Sequence, residues 1–180
     1  MAKTITLITG SPRVGGNTDL LADAFVRGAI SSGNTVTVFH AARSRIDGCT
    51  DCKYCFGHGG ECRIQDDMQD IYTSLRKPGL LILASPVYWY GLTGQIKTAI
   101  DRMFAGARKP FPITGIGLLL AAGSTDPEVT APSVAHFEAI SRYMGWESIG
   151  LVTAYGVHAP GDIVGRPSLD AAYEFGKSIG

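Results

Sequence analysis

Five short runs of aliphatic and β-branched residues alternate along this chain with segments of helical periodicity, and this alternation restricts the fold more than any other feature. The runs have the lengths of strands and cover residues 3–9, 35–40, 79–85, 114–122 and 148–154. Continuous apolar runs are typical of strands buried on both faces of a sheet. The helical segments, the second with Asp67 as predicted cap, cover residues 17–30, 67–75, 92–104, 129–144 and 168–177.

Alternating strands and helices predict right-handed crossovers and therefore an α/β fold with a parallel sheet. Five strands favour the flavodoxin-like arrangement, an open parallel five-stranded sheet of order 2-1-3-4-5 with helices on both faces. Ligands of such sheets lie at the carboxyl ends of the strands, here the loops 10–18, 86–91 and 122–128. A chain of 180 residues can bury one core, so we expect a single domain over residues 1–180 with a cysteine-containing insertion at about 43–65.

Charge and hydropathy exclude two classes of partner. Sixteen basic residues balance 16 acidic ones, and no basic run supplies the attraction that nucleic-acid binding needs. The longest apolar run, residues 113–123, is too short to span a bilayer, and residues 1–12 lack the cleavage site of a signal peptide. We therefore expect a cytoplasmic protein without nucleic-acid or membrane partners, in which cysteines stay reduced.

The loop "GSPRVGGNT" (10–18) follows a strand and opens a helix, a setting in which main-chain N–H groups and the helix dipole hold phosphate. Gly16 stands where a triphosphate-binding loop needs lysine, and Pro12 replaces the second glycine of a dinucleotide fingerprint. The remaining hydroxyl, amide and guanidinium groups suit a phosphomonoester. The alternative is an ordinary turn in which Asn17 caps the helix.

Three adjacent aromatic residues follow the third strand, at the predicted ligand edge of the sheet. Tyr88, Trp89 and Tyr90 offer a stacking face for a flat ring, and Gly91 lets the backbone turn close to a ligand. The alternative is that these rings cover the core. A further turn, "AAGSTDP" (121–127), places Gly123 and Ser124 where they could donate hydrogen bonds to a polar ring edge.

All four cysteines lie in one stretch with the spacing C-x2-C-x2-C-x6-C, at Cys49, Cys52, Cys55 and Cys62. Such close spacing can wrap one iron–sulfur cluster. Structural zinc sites set two ligand pairs further apart, although His58 could complete a Cys3His set. Local disulfides are disfavoured in a reducing compartment, and unligated thiols that pack against a neighbouring subunit remain a further alternative.

Three segments together, "GSPRVGGNT", "SPVYWYGLTGQIKTAIDRMF" and "GCTDCKYCFGHGGECRIQDDM", resemble the flavodoxin-like NAD(P)H-dependent FMN reductase superfamily and within it the iron–sulfur flavoprotein branch. The resemblance implies FMN, with the phosphate held by Ser11, Arg13, Asn17 and Thr18. It implies that the isoalloxazine ring is held by Pro86, Val87, Tyr88, Trp89 and Gly91. It further implies a homodimer or homotetramer in which neighbouring subunits complete the flavin pocket, and a [4Fe–4S] cluster as one use of the cysteines.

No catalytic side chain is predicted. Lys97, Asp101 and Arg102 match the "K…DR" of that superfamily, but the i, i+4 spacing of Lys97 and Asp101 favours a local ion pair or a subunit contact. Hydrolase motifs are absent from the sequence.

The predicted function is that of an FMN-dependent oxidoreductase. NAD(P)H delivers hydride to the flavin, and the reduced flavin passes electrons to a quinone, a flavin or another small acceptor. The alternative is an iron–sulfur flavoprotein that transfers electrons with a ferredoxin-like protein partner. A third hypothesis is a metal- or thiol-based sensor whose domain no longer binds flavin.

Overall fold

A computed structural model describes residues 2–180. It contains six strands: β1 (Thr4–Thr9), β2 (Thr35–His40), β3 (Gly79–Tyr88), β4 (Gly91–Leu92), β5 (Ile113–Ala121) and β6 (Glu147–Ala154). The long strands form a parallel sheet in the order β2-β1-β3-β5-β6. Counted without the short β4, this is the predicted order 2-1-3-4-5. The predicted α/β class is therefore confirmed.

The sixth strand is the difference from the prediction. β3 runs three residues beyond the predicted end, and β4 folds back on it as an antiparallel hairpin that pairs Val87 with Leu92 and Tyr88 with Gly91. The segment 86–91 is therefore not a loop, because its main chain continues the ladder almost to the turn. The hairpin makes the ligand edge of the sheet more rigid than a loop would.

Six α-helices lie between or after the strands: α1 (Asn17–Ser31), α2 (Tyr54–Gly57), α3 (Met68–Leu75), α4 (Gly94–Arg102), α5 (Ala131–Met144) and α6 (Pro167–Lys177). The N-cap of α1 is Gly16, so the alternative in which Asn17 caps this helix is wrong. Asp67 occupies the N-cap position of α3, as predicted. Its carboxylate accepts from Arg45 N–H, however, and Asp66 rather than Asp67 accepts from Met68 N–H.

Two hydrophobic clusters cover the faces of the central strands. Ile8, Leu81 and Leu83 belong to the cluster under α3, α4 and α5, whereas Leu7 and Ile82 belong to the cluster under α1 and α6. The prediction of burial on both faces therefore holds for β1, β3 and β5. It is wrong for β2 and β6, which form the edges and keep exposed residues.

Close contacts between backbone segments join the two helices that cover one face of the sheet. Gly28 of α1 and Gly176 of α6 leave no room for a Cβ, which would lie 1.9 Å from Tyr173 O and 2.1 Å from Phe25 O respectively. These two helices therefore pack with their main chains nearly in contact.

Candidate functional site

A cavity of about 380 Å³ lies at the carboxyl edge of the sheet. Its wall is formed by Ser11, Arg13, Asn17, Thr18, Pro86, Val87, Tyr88, Trp89, Tyr90, Ala121, Ala122, Gly123, Ser124, Val129, Val157 and His158. Ten of the eleven residues predicted to bind FMN therefore share one cavity. Gly91 is not on the wall, because it lies in β4, where it pairs with Tyr88.

One end of the cavity presents main-chain N–H groups. No side chain caps α1, so the N–H groups of its first turn have no side-chain acceptor. The neighbouring Ser11 Oγ accepts from the N–H of Arg13 at 3.2 Å, and Arg13 Nη1 donates to His158 O at 2.9 Å. A helix N-terminus beside a guanidinium group favours an anionic ligand.

The side chain of Asn17 is occupied by the β6–α6 loop (residues 155–166). Its Nδ2 donates to Val157 O at 3.2 Å and to Ala159 O at 2.8 Å. Its Oδ1 accepts from the N–H groups of Gly161 at 3.0 Å and Ile163 at 3.3 Å. The carboxamide is thus fully used within the protein, and the main-chain N–H is the group that Asn17 can offer to a ligand.

The other end of the cavity is the aromatic turn between β3 and β4. Trp89 and Tyr90 both have positive φ, 50° and 65°, as in a two-residue type I′ hairpin, which normally uses Asn and Gly. Such a conformation costs a bulky residue about 1–3 kcal/mol. Trp89 is 96% exposed, so it does not cover the core. Strain at an exposed aromatic pair beside a cavity indicates a functional role.

Hydroxyl groups join the two sides of this hairpin to each other and to the first loop. Thr93 Oγ1 donates to Gly10 O at 2.8 Å, and Ser85 Oγ accepts from Thr93 N–H at 3.1 Å. A Cβ on Gly10 would lie 2.5 Å from Thr93 Oγ1, so glycine is required there. Ser133 Oγ also donates to Tyr90 O at 3.2 Å. The two ends of the cavity are therefore fixed relative to each other.

Between these two ends, part of the cavity wall was not predicted from the sequence. Val157 and His158 belong to the β6–α6 loop, and Ala121, Ala122 and Val129 also line the cavity. The rule that ligands lie at the carboxyl ends of strands applies equally to the last strand, and it could have identified this loop. Gly123 packs against it, since a Cβ there would lie 3.0 Å from His158 Nδ1.

A second, smaller cavity of about 30 Å³ is lined by all four cysteines. These thiols lie in the segment from Asp47 to Ile64, here called the cysteine loop, and all four are free. Within residues 2–180 no three His, Cys, Asp or Glu side chains are arranged to hold a metal ion. The thiols therefore converge on one space without a preassembled metal-binding set.

The thiols differ in their surroundings. A hydrogen bond from the main chain of Tyr54 lowers the pKa of the exposed Cys52. Burial, with a further contribution from the other three cysteines, raises the pKa of Cys55. His58 stacks on Tyr54 at 3.6 Å between ring centroids, and its Nδ1 contacts Tyr54 O at 2.9 Å. These contacts weaken the Cys3His alternative.

Lys97, Asp101 and Arg102 do not act as one group. Lys97 and Asp101 form the predicted exposed i, i+4 pair, with Nζ 2.5 Å from Oδ1. Arg102 is instead buried, and its Nη1 lies 2.7 Å from Asp66 Oδ2. Burial alone would raise the pKa of Asp66, but hydrogen bonds from Arg102 outweigh it and hold this pKa below its ordinary value. Burial raises the pKa of the neighbouring Tyr72, and Cys62 adds to this shift.

Residues 4–139 match the family model described as NADPH-dependent FMN reductase. An iron-sulfur flavoprotein of Archaeoglobus fulgidus is 33% identical over 174 residues, which is 96% of this chain and 76% of the relative. A putative NAD(P)H-dependent FMN-containing oxidoreductase of Bacillus subtilis is 32% identical over 168 residues, 89% of this chain and 88% of the relative.

Among solved structures, the Trp repressor binding protein from Bacillus subtilis superimposes with a TM-score of 0.70. It is 27% identical, and the match covers 95% of this chain and 96% of that one. Within residues 2–180, no helix combines the length and the apolar character that crossing a membrane requires.

Proposed function

Because the chain belongs to the NADPH-dependent FMN reductase family, we propose that its sheet-edge cavity binds FMN and that the electrons pass on to a quinone, a free flavin or another small acceptor. The protein is an NAD(P)H-dependent FMN oxidoreductase. The electron acceptor and the residues that bind FMN are what we propose in addition. One observation supports both: a single cavity joins a loop of the kind that binds phosphate to an exposed aromatic turn.

The chemistry of the wall fits FMN. The uncapped first turn of α1 and the guanidinium of Arg13 form a cationic end, which suits a phosphate carrying up to two charges. The aromatic turn and the backbone of Pro86 and Val87 form a flat apolar end that suits a tricyclic ring. The cavity size lies within the range of pockets that bind small cofactors.

We assign the phosphate to Ser11, Arg13, Thr18 and the main chain of Asn17, and the ring to Pro86, Val87, Tyr88 and Trp89. The main-chain groups of Gly123 and Ser124 would meet the polar edge of the ring. Gly91 supports the hairpin rather than the ring. NAD(P)H and acceptor would enter in turn beside Trp89, the exposed side of the cavity.

Bound FMN would supply the redox chemistry that links NAD(P)H oxidation to reduction of the acceptor. The residues of this chain bind and orient: the loop at α1 anchors one end of the cofactor, and the rigid hairpin holds the ring. No side chain is assigned to proton transfer. The reaction therefore depends on the placement of the flavin ring and on the access of NAD(P)H and the acceptor beside Trp89.

A phosphate-specific test separates this assignment from general loss of structure. Arg13→Gln should weaken FMN roughly tenfold, as expected for one charge-assisted hydrogen bond, and leave riboflavin binding unchanged. Arg142→Gln, an exposed position on α5, is the control. Binding is measured by quenching of flavin fluorescence. An equal loss of affinity for FMN and for riboflavin would contradict the proposal. So would the absence of flavin binding by the parent protein.

The second candidate function is electron transfer by an iron–sulfur flavoprotein with a ferredoxin-like partner. It is supported by four thiols around one cavity and by relatives that carry the name iron-sulfur flavoprotein. Cys49, Cys52, Cys55 and Cys62 would hold a [4Fe–4S] cluster after closure of the cysteine loop. A cluster of this kind supplies single-electron transfer.

The spectrum and metal content of anaerobically purified protein test the second candidate. Flavin bands with a broad iron–sulfur shoulder, together with iron and sulfide, support it. Flavin bands without iron favour the first function alone, and zinc would favour a structural metal. Cys52→Ala should remove the iron and leave FMN in place.

Free cysteines fit the reducing cytoplasm, where we place the protein. We also propose a homodimer or homotetramer in which a neighbouring subunit completes the flavin pocket. Light scattering of the FMN-loaded protein tests this assembly, and a monomeric mass would contradict it.

A further inference from the structure

Arg102 is bonded to both ends of the cysteine loop. Its Nη1 donates to the carbonyl oxygen of Asp47 at 2.8 Å, and its Nη2 donates to that of Ile64 at 3.3 Å. These carbonyl groups lie on either side of the four cysteines in the sequence. One side chain, presented from the end of α4, therefore bridges the two ends of the loop, which Arg45 and Asp67 also join just outside it.

The carboxylate of Asp66 completes this connection. It receives Nη1 at 2.7 Å on Oδ2 and Nη2 at 3.1 Å on Oδ1, so the pair is bidentate. Oδ2 also accepts from the N–H of Asp47 at 2.8 Å, and Oδ1 from that of Met68 at 3.1 Å. The two side chains are 1% and 0% exposed. A buried ion pair adds little net stability, because the cost of desolvating the two charges offsets their attraction. The pair is therefore better explained by a role in geometry.

The Nε–H of Arg102 takes no part in these hydrogen bonds. It is buried and has no partner within residues 2–180. Arg102 lines the same small cavity as the four cysteines, and Cys62 lies close enough to influence both Arg102 and Tyr72. A buried donor without an acceptor beside four thiols indicates that an anionic sulfur would occupy the position facing it.

We propose that Arg102 is a positioning residue for the four-thiol site: it fixes both ends of the cysteine loop and offers its Nε–H and positive charge to the sulfur atoms of a bound cluster. This inference rests on the second candidate function. Hydrogen bonds to sulfur and nearby charge are two of the factors that set the reduction potential of such clusters. The charge of Arg102 stabilises the reduced, more negative state of the cluster.

The test uses the full FMN-loaded protein. The paired variant Arg102→Gln with Asp66→Asn removes both charges, so that no buried charge is left alone. Arg102→Lys keeps the charge but loses the planar fork that reaches both loop ends. Lys97→Gln, an exposed position on the same helix, is the matched control. Iron and sulfide content after anaerobic reconstitution and the midpoint potential are measured, with FMN content and thermal unfolding as checks of folding.

We expect the paired variant to bind iron about 10- to 100-fold more weakly than the parent, as for other groups that support metal ligands, and to keep FMN. Any cluster it holds should have a more negative potential, because Arg102 lines the cavity and Asp66 does not, so the positive charge is the nearer of the two that are lost. Arg102→Lys should lose iron and keep a potential near that of the parent, because the charge remains. Lys97→Gln should match the parent in both.

Two results would overturn the inference, and only the second would also overturn the iron–sulfur function. If the parent and all variants hold equal iron at equal potential, Arg102 has no role at the site while the iron–sulfur function stands. If the parent binds FMN but takes up no iron on reconstitution, the iron–sulfur function fails and the inference fails with it.

Discussion

The carboxamide nitrogen of Asn17 and the carbonyl oxygen of Ala159, 142 residues apart in the chain, are joined by a hydrogen bond of 2.8 Å. Three further hydrogen bonds connect the same carboxamide to the β6–α6 loop. The first loop and the last loop of the sheet edge therefore form one wall of the cavity. Asn17 is a connection between loops rather than a free ligand group.

Asn17→Ala should weaken FMN because the β6–α6 loop loses its attachment beside the phosphate end. Asn34→Ala is a matched control: that buried carboxamide joins Lys3 N–H to Ile179 O, away from the cavity. Both variants should lose roughly 1–3 kcal/mol of unfolding free energy. Flavin titration should show weaker binding for Asn17→Ala alone, and equal FMN affinity in both variants would contradict the connection.

Trp89→Gly should stabilise the flavin-free protein and impair catalysis. The substitution removes a strained positive φ at a side chain with almost no packing, which should add about 1 kcal/mol to the unfolding free energy. Trp89→Phe keeps both strain and ring and is the control. Chemical denaturation and NAD(P)H oxidation with a quinone measure the two effects. A less stable Trp89→Gly protein would show that the turn is not strained.

The Asp66–Arg102 pair should make stability depend on acid pH. The folded pKa of Asp66 is lowered, so its contribution is complete above the unfolded pKa of about 4 and is lost as pH falls through that value towards the folded one. Asp66→Asn should cost roughly 3–5 kcal/mol at pH 7, because Arg102 remains buried without a counter-charge.

The paired variant Asp66→Asn with Arg102→Gln should lose stability less steeply than the parent between pH 5 and pH 3, the approximate range around the carboxyl pKa. Asp101→Asn, in the exposed pair with Lys97, should follow the parent within about 1 kcal/mol. Urea denaturation at each pH gives these curves. Parallel curves for the parent and the paired variant would refute the assignment.

The thiols should react in a defined order in metal-free protein. Cys52 is exposed and its pKa is lowered, whereas partial burial raises the pKa of Cys55. Because the thiolate is the nucleophile, iodoacetamide at neutral pH should label Cys52 first and Cys55 more slowly. Peptide mass spectrometry at short times measures the order, with Cys52→Ser to identify the fast site. Faster labelling of Cys55 would contradict these surroundings.

Much of the architecture follows from local sequence patterns. Apolar runs of strand length, separated by helical periodicity, leave few topologies open, because crossovers between parallel strands are right-handed. The carboxyl ends of parallel strands lie at one edge of the sheet, which places the segments 10–18 and 122–128 together. Most of the predicted binding residues do line a single cavity there. Burial on both faces was predicted too broadly, since a run such as β2 does not reveal that it is an edge strand.

Other features depend on contacts between residues far apart in the sequence. Arg102 and Lys97 look alike as basic residues of one helix, yet Arg102 is buried against Asp66 while Lys97 remains exposed. The turn at Trp89 carries no glycine or asparagine signal, because its conformation is imposed by the β3–β4 hairpin and by Ser133.

The sequence by itself determined the α/β class, the ligand edge and the concentration of thiols in one loop, since periodicity, chirality and cysteine spacing are local properties. The tertiary structure decided which side chains are free to act there. It engaged the carboxamide of Asn17 with a loop more than 140 residues away, and it buried Arg102 beside the cysteines. Hydrogen-bond partners and desolvation depend on what the folded chain brings into contact, and no local pattern encodes them.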